Sequence, residues 1–329
     1  MVMLCSEEGI SISSVSQKVK MAGIKEMAKA DIAMGVAFLT QTAAGVLGNS
    51  CLLCFYSYTL LTRQKVRPTD PILCHLVFAN YVVVLSTGIP QTMAGIGWKY
   101  FLDDAACKVA LYFRRVARGV SLNTTCLLSG FQVSKLCTRN VWWKITTTFP
   151  NCFGISGFLF WILQVLVNVY VPLRVIGPTH RQNVTLHMHY RYCAIGPTTP
   201  KPFVRLSQIA LYLSIEIMCL VFMMWTSGSM VLVLHRHKQR VQHIHSHIAS
   251  RRPDHEARAT RTILTLSSMF VSFYCLSAMF VLCVGLHMKP DLWLVDMSMF
   301  LGACFSVLSP FVLMSTDTRI TQVFHSCIE

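Results

Sequence analysis

The segment HRHKQRVQHIHSH, residues 235–247, sets five histidines and three Lys or Arg residues within thirteen positions. His243, His245 and His247 alternate as ligands on an extended segment do, so zinc is the first chemistry to weigh. No cysteine or carboxylate completes a tetrahedral set at the usual spacing, and no metal or other cofactor is expected. The alternative is a basic helical segment facing lipid headgroups or a protein partner through Arg236, Lys238 and Arg240. A second set of charges lies inside an apolar run. Arg114, Arg115 and Arg118 follow Cys107, and Glu216 lies in a later apolar stretch. At 1.5 Å per residue Arg118 sits roughly 16 Å below Cys107, where charge is costly and turns toward a cavity or a partner. Arg114 and Arg118 share a helix face, as do Arg115 and Arg118. Two compatible chemistries follow: an internal Arg118–Glu216 ion pair, or an anion-binding floor for a carboxylate, sulfate or hydroxyl.

Membrane helices must position both sets. The 329 residues are 53% hydrophobic and 13% charged, with mean hydropathy +0.51, which excludes an ordinary water-soluble fold. The net charge of +15 sits mostly outside the apolar runs, favouring lipid headgroups and a cytosolic partner over nucleic acid. Runs of about 20 apolar residues fall at 32–60, 71–96, 107–133, 150–172, 204–234, 262–286 and 292–314. The expected fold is an all-α membrane protein, a seven-transmembrane-helix bundle of 32–314 between an amino-terminal segment 1–31 and a tail 315–329. Residues 1–26 are polar and Ser-rich without a continuous apolar stretch, so a disordered extension rather than a cleaved signal is expected there.

The short loops carrying Arg63, Lys65 and Arg67, then Lys135, Arg139 and Lys144, hug the spans on one side. The positive-inside rule therefore places the amino terminus outside, the 235–261 loop and tail in the cytosol, and the chain as a multi-pass protein in the plasma membrane. The sequon Asn183-Val184-Thr185 then lies outside, where Asn183 could carry a glycan. Cys107 and Cys193 fall on the same oxidising side and can pair there; the bland alternative is two unrelated thiols. Most other cysteines, including Cys126 and Cys219, sit in apolar stretches and read as small hydrophobic side chains. Asp296 and Gln91, near outer ends of spans, read either as pocket-mouth residues or as a solvated rim, the latter favoured by depth. Tyr112, Phe113, Phe273, Tyr274 and Phe280 read as ligand walls or as packing, and Pro310 is expected to kink its span.

Several strings resemble type 1 vomeronasal receptors: GVLGNSCLL (45–53), RPTDPILCHLVFAN (67–80), RRVARGVSLNTTCLLSGFQ (114–132), WTSGSMVLVLHRHKQRVQHIHS (225–246), RATRTILTL (258–266) and SPFVLMS (309–315). The resemblance runs from about Met27 to the end and implies a pheromone-type G-protein-coupled receptor. It also implies small organic ligands within the bundle and a heterotrimeric G protein of the inhibitory class as partner. The opening histidine-rich segment then becomes the third cytoplasmic loop. Phe131-Gln132-Val133 stands where most rhodopsin-like receptors carry an acidic-Arg-aromatic triplet, so that arginine's role does not transfer. A transporter would show paired interrupted halves, which the chain lacks. Enzyme motifs such as HExxH, GxSxG and the P-loop are also absent, so no enzyme is expected. A non-signalling or degenerate receptor acting as a membrane scaffold stays as the alternative function, with a transporter the less favoured one.

Overall fold

The computed structural model describes residues 4–63, 66–98, 101–137, 152–176, 188–189, 192–195, 202–243, 252–286, 292–317 and 319–320. Seven long helices dominate: α1 (Leu4–Thr62), α2 (Asp70–Gly95), α3 (Asp104–Cys137), α4 (Cys152–Val167), α5 (Pro202–His243), α6 (Arg252–Leu286) and α7 (Leu292–Thr316). Six of them contain stretches long and apolar enough to cross a membrane. The seventh, α3, has the length at 34 residues but carries Arg114, Arg115 and Arg118. The helical backbone of α1 continues back to Leu4, through the stretch read as disordered from its composition. That stretch contains no proline, so nothing in it interrupts a helix propagating from the span.

Hydrocarbon offers no partner for backbone amides, so each span closes its own hydrogen bonds as a helix and side chains decide the packing. α2 and α3 are central. α2 packs on α1, α3, α4 and α7, while α3 packs on α2, α4, α5 and α6, and α6 lies along α7. Small residues permit the closest approach: a Cβ on Gly95 of α2 would fall 2.5 Å from the Gly35 Cα of α1. Pro310 lies within α7, and a Cβ on Gly48 of α1 would stand 3.1 Å from its ring.

The buried apolar side chains form layers. The largest, in the inner half, joins Leu52 and Tyr56 of α1, Leu76 of α2, Leu128 of α3, Met223 of α5 and Phe270 of α6. An outer layer gathers Phe38, Leu111, Tyr170, Tyr192 and Met299 around Cys107 and Cys193. These two cysteines form a disulfide with Cα atoms 6.0 Å apart. The bond holds the second outer loop to the head of α3 beside a three-stranded antiparallel sheet. Its strands are β1 (Val175–Ile176), β2 (Met188–His189) and β3 (Ala194–Ile195), ordered β1-β3-β2 with Ile195 paired to both Val175 and Met188. Exposed Phe158, Leu166, Met218 and Trp225 face outward, as suits side chains solvated by lipid.

Candidate functional site

Three helices bring the mid-depth charges together. Arg118 projects from α3, and its guanidinium carbon lies 4.9 Å from the centroid of the Tyr274 ring on α6. The Tyr274 hydroxyl donates a hydrogen bond to Glu216 of α5, which is only 6% exposed. Arg118 and Glu216 are thus joined through the ring and hydroxyl of one tyrosine. Among the described residues no carboxylate oxygen lies within 4 Å of the Arg118 guanidinium, so the direct ion pair weighed from sequence does not form. Gly302 of α7 makes room for the cation, because a Cβ there would stand 2.7 Å from Arg118 Nη1.

Around this cation lies a small open cleft lined by Arg118, Ser121, Phe270, Phe273, Tyr274, Gly302, Phe305 and Ser306. Phe270 meets Phe305 edge-on at 4.7 Å and stacks on Tyr274 at 6.2 Å, so three aromatic rings form one wall. The polar floor is anchored from α2. Asn80 Oδ1 accepts from Ser121 Oγ (2.8 Å) and Ser306 Oγ (3.2 Å), and Asn80 Nδ2 donates to Ser309 Oγ (2.9 Å). Asn49 of α1 donates to the Ser306 carbonyl at 2.9 Å, which extends the same network. All of Asn49, Asn80, Ser121, Ser306 and Ser309 are buried, so paired hydrogen bonds are what make them tolerable in a membrane.

The other residues singled out from sequence distribute differently. Arg114 and Arg115 are half-buried, each makes a further interaction, and neither lines the cleft. Gln91 and Asp296 are each 1% exposed, which overturns the solvated-rim reading. Depth along the helix axis placed them near the outer ends, but helix rotation turns both inward, and Gln91 Nε2 donates to the Met299 sulfur. Phe273 and Tyr274 line the cleft, whereas Tyr112 donates to the Val165 carbonyl of α4 at 3.0 Å and Phe113 is exposed. Arg236 is exposed on the inner extension of α5, and Lys238 and Arg240 follow on the same helix. Asn183, His245 and His247 lie outside the described residues. Among the described residues no group of three His, Cys, Asp or Glu could hold a metal ion.

Sequence reasoning missed two inner-end contacts. Gln132, where an arginine was the familiar expectation, is buried and donates to Thr260 Oγ1 at 2.7 Å, joining α3 to α6. Asp70, fully buried at the start of α2, receives both Arg319 terminal nitrogens at 2.9 and 3.0 Å and the Arg67 backbone N–H at 2.7 Å. Arg319 also binds Asp317 at 2.8 Å and lies 5.6 Å over the Phe55 ring. Burial by itself would raise the Asp317 carboxyl, but the hydrogen bonds and charge of Arg319, helped by Arg67, hold it below its ordinary value. Burial opposes the Arg319 cation in turn, and its bonds to Asp70 and Asp317 outweigh that and raise it. The only sequence signal was Arg319 itself, a lone cation just past a span.

Seven long helices, six of them apolar enough to cross a membrane, with a disulfide tying an outer loop to α3, define a multi-pass helical membrane protein. The chain matches the vomeronasal organ pheromone receptor family over residues 32–326. It is 45% identical over 303 residues to vomeronasal type-1 receptor 1 of Gorilla gorilla gorilla, covering 92% of this chain and 85% of that protein. To vomeronasal type-1 receptor 4 of Homo sapiens it is 43% identical over 298 residues, covering 89% of this chain and 97% of that one. A more distant relative, olfactory receptor class A-like protein 1 of Danio rerio, is 27% identical over 292 residues, covering 87% of this chain and 90% of that protein. The chain belongs to the vomeronasal type-1 receptor family, and so is a chemosensory receptor of the cell membrane rather than an enzyme.

Proposed function

We propose that this receptor binds small organic ligands bearing an anionic or hydrogen-bond-accepting group in the mid-depth cleft, and that binding activates a heterotrimeric G protein of the inhibitory class. The observation that carries the reading is the Arg118 guanidinium. It borders the cleft at mid-membrane depth, meets a tyrosine face instead of a carboxylate, and sits beside a glycine that leaves room for it. A cation held this way retains its planar set of N–H donors for an incoming acceptor. The rings of Phe270, Phe273 and Phe305 supply the apolar contact that a small organic body requires. Arg114, Arg115, Gln91 and Asp296 belong to the path from the outer face toward this cleft, while Arg236, Lys238 and Arg240 meet the G protein and anionic headgroups. In this arrangement residues 1–31 are extracellular, 32–314 form the receptor domain and 315–329 the cytoplasmic tail, with a glycan on Asn183.

The test is a G-protein activation assay on surface-verified receptor, screening volatile and steroid-like molecules with and without acidic groups. Arg118→Gln at equal surface level abolishes responses to acceptor-bearing ligands if the reading holds. Unchanged potency in Arg118→Gln refutes the site. Equal folding defects in Arg118→Gln and Glu216→Gln, rescued in the double variant, assign the charges to architecture alone.

A further inference from the structure

One thiol pair lies outside the cleft network. Cys126 of α3 and Cys219 of α5 face each other across the contact between the two helices. The Cys126 thiol also points at the Cys219 carbonyl at 3.9 Å, and the Cys219 thiol donates to Asn123 Oδ1 of α3 at 3.5 Å. Both side chains are partly accessible, so a small diffusing reagent can reach them. Other cysteines of the spans, such as Cys51, Cys54 and Cys275, are exposed toward lipid instead. Cys126 follows Cys107 by nineteen positions on α3, about 28 Å along the axis, which places the pair in the cytosolic half of the bilayer. Cys219 follows Glu216 by three positions, so the pair sits one turn below the Tyr274–Glu216 contact.

We propose that Cys126 and Cys219 are a site of reversible oxidation, in which a membrane-permeant peroxide converts the two thiols into a disulfide joining α3 to α5. One thiol sulfur attacks the peroxide, breaking the O–O bond to give a sulfenic acid and one water. The second thiol then attacks that sulfur, forming the S–S bond and expelling the second water. Two S–H bonds are lost, the sulfurs give up two electrons, and the peroxide oxygens take them with both protons. A disulfide requires Cα atoms roughly 4.4–6.8 Å apart. The Cys126 sulfur reaches the Cys219 carbonyl and the Cys219 sulfur reaches Asn123, one turn from Cys126, so the two residues stand side by side and a small approach of the helices closes the bond. Reductants of the cytosolic side keep the pair as thiols at rest, and a dithiol reverses the bond. Once formed, it fixes the α3–α5 spacing next to Glu216.

The bond itself does not rest on the ligand reading, and the test separates them. Membranes bearing the intact receptor are exposed to hydrogen peroxide, alkylated, digested without reductant and analysed by mass spectrometry. The expected product is a peptide pair linked through Cys126 and Cys219, absent after dithiothreitol and absent in Cys126→Ser and Cys219→Ser receptors that reach the surface at the parental level. Recovery of both cysteines as separate alkylated or singly oxidised residues overturns the proposal, as does linkage of either one to a different cysteine. Should a serine variant fail to reach the surface, Cys126→Ala and Cys219→Ala provide the same control.

Discussion

Replacing Arg319 with methionine is the substitution whose cost can be worked most directly. The carboxylate of Asp70 is 0% exposed and accepts three hydrogen bonds, two of them from Arg319. In Arg319→Met the stem still packs on Phe55, but a fully buried carboxylate keeps one backbone N–H as its only remaining donor of the three. Removing one partner of a buried ion pair costs roughly 3–5 kcal/mol, because the other charge stays desolvated and uncompensated. The exposed Lys108–Asp104 pair, 37% and 36% accessible, is the internal control and costs about 0–1 kcal/mol when Lys108→Met removes it. Against a total of about 5–15 kcal/mol the first loss is large. Thermal unfolding of detergent-solubilised receptor, followed by tryptophan fluorescence, should show Arg319→Met melting several degrees below Lys108→Met and reaching the surface at lower level. Asp70→Asn combined with Arg319→Met should recover much of the loss, because the buried group is then neutral. An Arg319→Met receptor as stable as Lys108→Met, or a double variant that loses the sum of the two single changes, refutes the reasoning.

Gly302→Ala places a Cβ where Arg118 Nη1 stands, 2.7 Å away, and the flexible guanidinium must yield. Surface level should stay near the parental value, while displacement from the Tyr274 face forfeits about 1 kcal/mol, read as a roughly fivefold weaker ligand response. Cys193→Ser opens the tie across 86 positions between the outer loop and α3, and should cost roughly 2–5 kcal/mol. A Cys193→Ser receptor with full surface level and response would contradict that. The Asp317 carboxyl is held below its ordinary value of 3.8, so its stabilisation is complete above about pH 4 and is lost as pH falls through the lower folded value. Melting temperature should therefore be insensitive to this group between pH 7 and 5 and decline below pH 4, and Asp317→Asn should flatten that acid limb.

Much of the bundle was legible because bilayer thickness converts directly into run length. α3 was readable despite its arginines, since the flanking loops and Cys107 fixed where a span had to begin. The disulfide followed from compartment and position, two properties that sequence carries. Rotation about the helix axis is not among them. Gln91 and Asp296 were placed correctly in depth and wrongly in exposure, because a count of residues gives height but not azimuth once several faces of a membrane helix are apolar. Tyr274 was one aromatic among several with no mark of its bridging role, which exists only where α3, α5 and α6 converge. Gly302 and the Asp70–Arg319 contact depend on helices far apart in the chain, 249 positions in the second case, and no local pattern announces such pairs.

Arg118 and Arg319 show how one residue type is put to opposite uses in one bundle. Arg319 is enclosed by two carboxylates whose oxygens lie 2.8–3.0 Å from its terminal nitrogens, so any competing acceptor would have to displace charge-assisted bonds already formed. Arg118 is held by a ring face, an interaction of about 0.5–2 kcal/mol that leaves the in-plane N–H groups unused. The desolvation cost of a cation at mid-membrane depth persists until those groups find an acceptor. Glu216 accepts from the Tyr274 hydroxyl and its carboxylate does not come within salt-bridge distance of the guanidinium. On the proposed reading, a ligand oxygen entering the cleft gains a bond the protein has not made for itself, and the gain is realised only when the ligand is present. That difference between empty and occupied states is what a receptor needs to shift a population of conformations. A cation saturated like Arg319 could not provide it.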